Sequence, residues 1–129
     1  MINGIKPMLS PQTPTPKEPT TNGLSFDEAM DSLLEKIQEN YASRYGENHK
    51  PSKLLELSLK PGRKFVKVIE GSSVWGFVSL VNGTHKGAPI FVGDIMKAAG
   101  WSAPAKHSRG SIFDAEMHKS FSWTGPNYL

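Results

Sequence analysis

The chain has 129 residues, 37% of them hydrophobic and 21% charged, with no cysteine and a net charge of +3. That length suits one domain, and the absence of cysteine excludes a disulfide framework and a thiolate zinc site. No run approaches the ~20 apolar residues that cross a bilayer. Ile2, Ile5, Met8 and Leu9, broken by Gly4 and Pro7, do not make a signal-peptide core, so a cytoplasmic protein with no membrane partner is the expectation. Charge is unevenly placed: residues 1–50 hold five basic and seven acidic side chains, and residues 51–129 hold ten and five. A basic C-terminal region hints at a polyanionic partner.

Taken in chain order, residues 6–23 are rich in proline and threonine with almost nothing apolar. Such a segment cannot offset its ordering entropy, and residues 1–24 read as a disordered, partly polyproline-like tail. Residues 25–129 read as one α+β domain. Ser25 with Glu28 forms a capping box, and Phe26, Met30, Leu33, Leu34, Ile37 and Tyr41 fall on one face of a helix over 25–45. Asp27, Glu28 and Asp31 suit its N-terminal dipole, and Gly46 its left-handed cap. The stripe predicts packing on a sheet, or else a surface for association.

After a polar linker over 47–52 the pattern changes to period two. Leu55, Leu57 and Leu59 alternate with polar residues, as in a half-buried strand. Lys60-Pro61-Gly62-Arg63 predicts a type II turn, 64–70 a second strand, Gly71–Ser73 a turn, 74–81 a third strand and Asn82-Gly83 another turn. Ile90–Val92 reads as a fourth strand, and 94–99 as either a short helix capped by Asp94 or a further strand. Residues 102–110 are loop by composition, and 111–114 and 119–123 are short final strands. The architecture expected is an N-terminal amphipathic helix on a small, bent antiparallel sheet, with closure into an SH3-like or OB-like barrel as its extreme form.

Two groups of residues suggest a site. Lys97, Lys106, His107 and Arg109 surround Trp101 and Ser108 in a segment of small residues. Cations and a hydroxyl suit phosphate contacts, an aromatic among them suits stacking on an unpaired base, and Gly110 permits close backbone approach. Lys60, Arg63, Lys64 and Lys67 form a second basic set on the first hairpin. The bland reading is a core Trp101 beside a solvated loop. Trp75 and Phe77, placed on one face of the third strand by strict alternation, are either an aromatic platform or, the better reading, core. His85, His107 and His118 offer acid–base groups for phosphodiester cleavage with Lys106 or Arg109, but no catalytic motif accompanies them. No enzyme, cofactor or metal is therefore expected.

The C-terminal half resembles a group of short proteins encoded by tailed bacteriophages. The resemblance rests on Ser73–Val78, Gly93–Trp101, Ala103–Ile112 and Gly125–Leu129, and covers about residues 63–129. It implies a phage origin and action in the infected bacterium's cytoplasm or in the virion, and it carries no activity or site. The leading expectation is an accessory protein that binds nucleic acid, single-stranded by preference, through the basic loop and hairpin. The alternatives are a module that binds and redirects a host protein through the tail or the Phe26–Tyr41 helix, and a minor virion component.

Overall fold

The computed structural model describes residues 21–45 and 54–128. The expected tail over 1–20, the Gly46 cap and the 47–52 linker lie outside the described residues. The remainder of the expected tail belongs to the domain: Thr21 bridges Asp114, the Asn22 amide donates to the Phe113 carbonyl, and its side-chain amide donates to the Ile112 carbonyl. Leu24 then packs against the core.

The helix α1 spans Phe26–Tyr45. Its capping box forms as read: the Glu28 amide donates to Ser25 Oγ at 3.2 Å and the Ser25 amide to Glu28 Oε1 at 3.0 Å. Hydrogen bonds to the carboxylate from the Ser25 amide and then the Ser25 hydroxyl hold the exposed Glu28 carboxyl below its ordinary pKa. Met30, Leu33 and Ile37 are buried, together with Ala29, which completes the stripe. Each large side chain contributes about 1.5–3 kcal/mol by leaving water. Much of this face is consumed by the core.

Strands β1 (Leu57–Pro61), β2 (Phe65–Glu70) and β3 (Ser73–Ser79) form the expected meander. The first turn is displaced: Pro61 still pairs with Val66, and the chain reverses at 62–64, closed by the Gly62 amide donating to the Phe65 carbonyl. A hairpin not foreseen follows, β4 (Gly83–His85) with β5 (Ala88–Ile90). Residues 91–93 turn, so the expected strand over 90–92 exists only at its first residue. Next come β6 (Asp94–Ala98) and β7 (Pro104–Ser111). Residues 94–98 are thus strand rather than helix, because Ile95 and Met96 bury on opposite faces of the sheet. The segment 104–111, a loop by composition, is strand because β6 offers it a pairing edge, with two register shifts absorbing the poor fit. Residues 112–114 form a turn in place of the expected strand, and a 3₁₀ turn at Met117–Ser120 leads into the short pair β8 (Phe121–Ser122) and β9 (Gly125–Pro126).

The five-stranded sheet has the order β1-β2-β3-β6-β7, antiparallel throughout. β1 and β7 are its two edges and do not pair with each other among the described residues, so it is an open sheet and not a closed barrel. One face, with Val66, Val68, Val78 and Ile95, packs on α1 together with Ile112, Met117 and Phe121. The opposite face carries a smaller core of Phe77, Ile90 and Met96, where the β4–β5 hairpin covers the sheet.

Strict alternation fails at one informative place. Val68 pairs with Gly76 but Ile69 pairs with Val74, so the register skips Trp75. This β-bulge turns Trp75 to the helix side, while Phe77 stays in the smaller core. Both are buried, as the core reading held, but they do not share a face. Trp75 donates its indole N–H to the Ser122 carbonyl at 3.0 Å and meets Phe121 edge-on at 5.4 Å. Gly76 is required beside it: a Cβ there would stand 2.9 Å from the Met96 carbonyl oxygen and 3.0 Å from Pro126 Cγ.

Candidate functional site

The face of the sheet away from α1 brings one set of cations together. Lys60 and Lys67 are direct cross-strand partners on β1 and β2, and Arg63 and Lys64 occupy the turn that joins those strands. Like charges placed opposite each other on a sheet destabilise it. The four side chains line a groove of about 280 Å³ with Pro61, Gly62, Phe65, Phe77 and Ser102. Among the described residues no acidic one lines it. Among the described residues the only ion pair is Glu116–Lys119, so none of the four cations is neutralised there.

The groove has an aromatic floor and an aromatic rim. Phe65 and Phe77 meet edge-on at 6.2 Å, and His85 also meets Phe65 edge-on at 5.4 Å. Trp101 sits in the turn between β6 and β7 and is 54% exposed. The Lys67 ammonium lies 4.4 Å from its ring centroid, a cation–π contact worth about 0.5–1 kcal/mol at an exposed site. That contact holds the indole beside the groove. Trp101 and Lys67 are far apart in the chain and meet only because β6 pairs with β3.

The other expected loop residues do not join this site. Lys97 shares the helix-side face with Ile95, donates to the Pro126 carbonyl at 3.0 Å and lies 3.8 Å from the Tyr128 ring centroid. Arg109 donates through Nε to the Asn127 carbonyl at 2.9 Å and through a terminal nitrogen to the His107 carbonyl. Both cations anchor the C-terminal segment. Ser108 is engaged within its own strand, with Oγ donating to the Gly110 carbonyl and accepting from the Gly110 amide. The space above Gly110, read as room for a ligand, is taken by Ser120. Lys106 and His107 are exposed on the edge strand β7. The expected loop site therefore divides: Trp101 and its neighbour Ser102 go to the groove, Lys97 and Arg109 to the C-terminus, and Lys106 and His107 to the sheet edge.

The three histidines that could have offered acid–base groups, His85, His107 and His118, stand in separate settings. His85 Nε2 bonds the Pro104 carbonyl at 3.0 Å, His107 is exposed on β7, and His118 borders a polar hollow with Lys36, Glu39, Asn40, Ser43 and Phe121. Among the described residues no three His, Asp or Glu side chains gather as a metal site. No helix among them is long and apolar enough to cross a membrane. A further groove of about 350 Å³ between α1 and β1 is apolar with Asp27 and Asp31 at its edge, opposite in character to the basic one.

Sequence reasoning named the four hairpin cations and Trp101, weighed Phe77 only as a platform with Trp75 and favoured core for it, and missed Phe65 and Ser102 as groove walls. Alternation already set Phe65 and Lys67 on one face of β2; nothing local indicated Ser102.

These features define a small α+β domain with an open antiparallel sheet, a helix on one face, and a basic, aromatic groove on the other. The chain belongs to a family of unknown function (DUF7717), whose model matches residues 13–129. The match takes in α1 as well as the sheet. No curated protein and no solved structure matches the chain.

Proposed function

We propose that this protein binds nucleic acid, taking a short single-stranded segment in the groove between the first hairpin and Trp101. The observation that supports it is the convergence of Lys60, Arg63, Lys64 and Lys67, with no acidic side chain among the described residues lining the groove, beside a half-exposed indole. Cations along a groove supply the backbone attraction, and an accessible aromatic supplies sequence-tolerant stacking. The volume sits at the lower limit of pockets that enclose small organic ligands, which suits one unpaired nucleotide. With this reading goes the setting implied by the resemblance over residues 63–129: a phage protein acting in the bacterial cytoplasm or carried in the virion.

Fluorescent single-stranded and duplex oligonucleotides titrated at several salt concentrations test the proposal. Neutralising four phosphates of a single strand gives a slope of log K against log salt near −3, from about −0.7 per phosphate. An Arg63→Ala/Lys64→Ala variant should halve that slope while staying folded. Weak binding that is unchanged in the variant would reject the reading.

A further inference from the structure

The β4–β5 hairpin reverses through two residues, Lys86 and Gly87, between the paired His85 and Ala88. Both have positive φ, +52° at Lys86 and +84° at Gly87, the pattern of a type I′ turn. Lys86 is the only residue other than glycine with positive φ among the described residues. The first position of such a turn favours Asn, Asp or Gly, and a lysine there carries a steric cost that asparagine would reduce. The cost is not offset by an ion pair, for Lys86 has none among the described residues. Strained conformations of this kind persist where the surrounding structure holds them, and they cluster at functional sites.

The place of the hairpin gives the lysine a use. His85, its immediate neighbour, packs on Phe65 of the groove floor and bonds the carbonyl of Pro104, which closes the turn that carries Trp101. The tip of the hairpin is thereby tied to both aromatic parts of the groove. We infer that Lys86 is a phosphate-contacting residue of the same interface, extending the nucleic-acid path from the first hairpin past Trp101 to the tip of the second. This rests on the function proposed above.

The test uses the full chain, a fluorescent single-stranded oligonucleotide and the variants Lys86→Asn and Lys86→Arg. Lys86→Asn relieves the turn and removes the charge, so it should raise the urea midpoint and yet weaken binding roughly two- to fivefold at low salt. Its salt slope should become shallower by about 0.7. Lys86→Arg keeps the charge and should bind as the unsubstituted protein does. Unchanged affinity and slope in Lys86→Asn would overturn the inference while leaving the groove intact. Equal weakening in Lys86→Arg would overturn it too, since charge would not be the cause. An unsubstituted protein that binds no oligonucleotide would overturn the proposed function, and this inference with it.

Discussion

Replacing Trp101 by alanine separates the structural role of this residue from its proposed binding role. A buried aromatic removes about 150–250 Å² from water; Trp101 is 54% exposed, so somewhat less than half of that is at stake. At about 25 cal/mol per Å² the loss is about 2 kcal/mol, and the contact with Lys67 adds about 0.5–1 kcal/mol. No enclosed cavity is left at an exposed site, so the cavity penalty of core truncations does not apply. Against a typical total stability of about 5–15 kcal/mol, the domain stays folded. Loss of one stacked base costs about 1–3 kcal/mol in affinity, roughly a 5- to 150-fold rise in Kd. Urea denaturation measures the first quantity and fluorescence anisotropy with a labelled single strand the second. A Trp101→Phe variant, which keeps a smaller ring, should fall between. A Trp101→Ala protein that is folded and binds with undiminished affinity would refute the stacking argument.

Arg109→Ala should lower stability by about 0.5–1.5 kcal/mol, the net worth of a hydrogen bond whose freed acceptor water can reach, because it frees the exposed Asn127 carbonyl. Oligonucleotide affinity should be nearly unaffected, and a large loss of affinity would place Arg109 in the interface instead. Gly76→Ala forces a methyl group against the Met96 carbonyl and Pro126 and should cost about 1–3 kcal/mol, read as a lowered denaturation midpoint; an unchanged midpoint would contradict the close approach of β6 and β9 to β3. Asp94 is buried, and desolvation raises its carboxyl pKa from 3.8 despite the hydrogen bond it accepts from the Phe91 amide. The folded state therefore binds its proton more readily than the unfolded chain, so this group's contribution falls as pH rises from 3.8 through its raised value. Asp94→Asn should flatten that part of the stability–pH curve, measured by denaturation across the acidic range.

Much of the fold was legible locally. The capping box and the apolar stripe of α1 are set by residues three or four apart, and the β1–β2–β3 meander by alternation and by turns with glycine. Those interactions are short in sequence, so the chain itself displays them. The α+β class and the four basic residues of the first hairpin follow from the same signals.

Where an outcome depends on how a neighbouring strand pairs, the local reading failed for identifiable reasons. Residues 104–111 have the composition of a loop and become strand only because β6 presents an edge to them. Trp75 leaves the face that alternation assigns it because a bulge against β2 turns it toward the helix. Lys97, Arg109 and Trp101 look alike as members of one basic, aromatic segment. Tertiary structure divides them: Lys97 on β6 and Arg109 on β7 bond the C-terminal segment, while Trp101 in the turn between those strands meets Lys67 of β2. Sequence by itself determined α1, the β1–β2–β3 meander and which charges the first hairpin carries, because those depend on near neighbours. Only the packed sheet decided which of those charges meet an aromatic ring, because that depends on pairings across tens of residues.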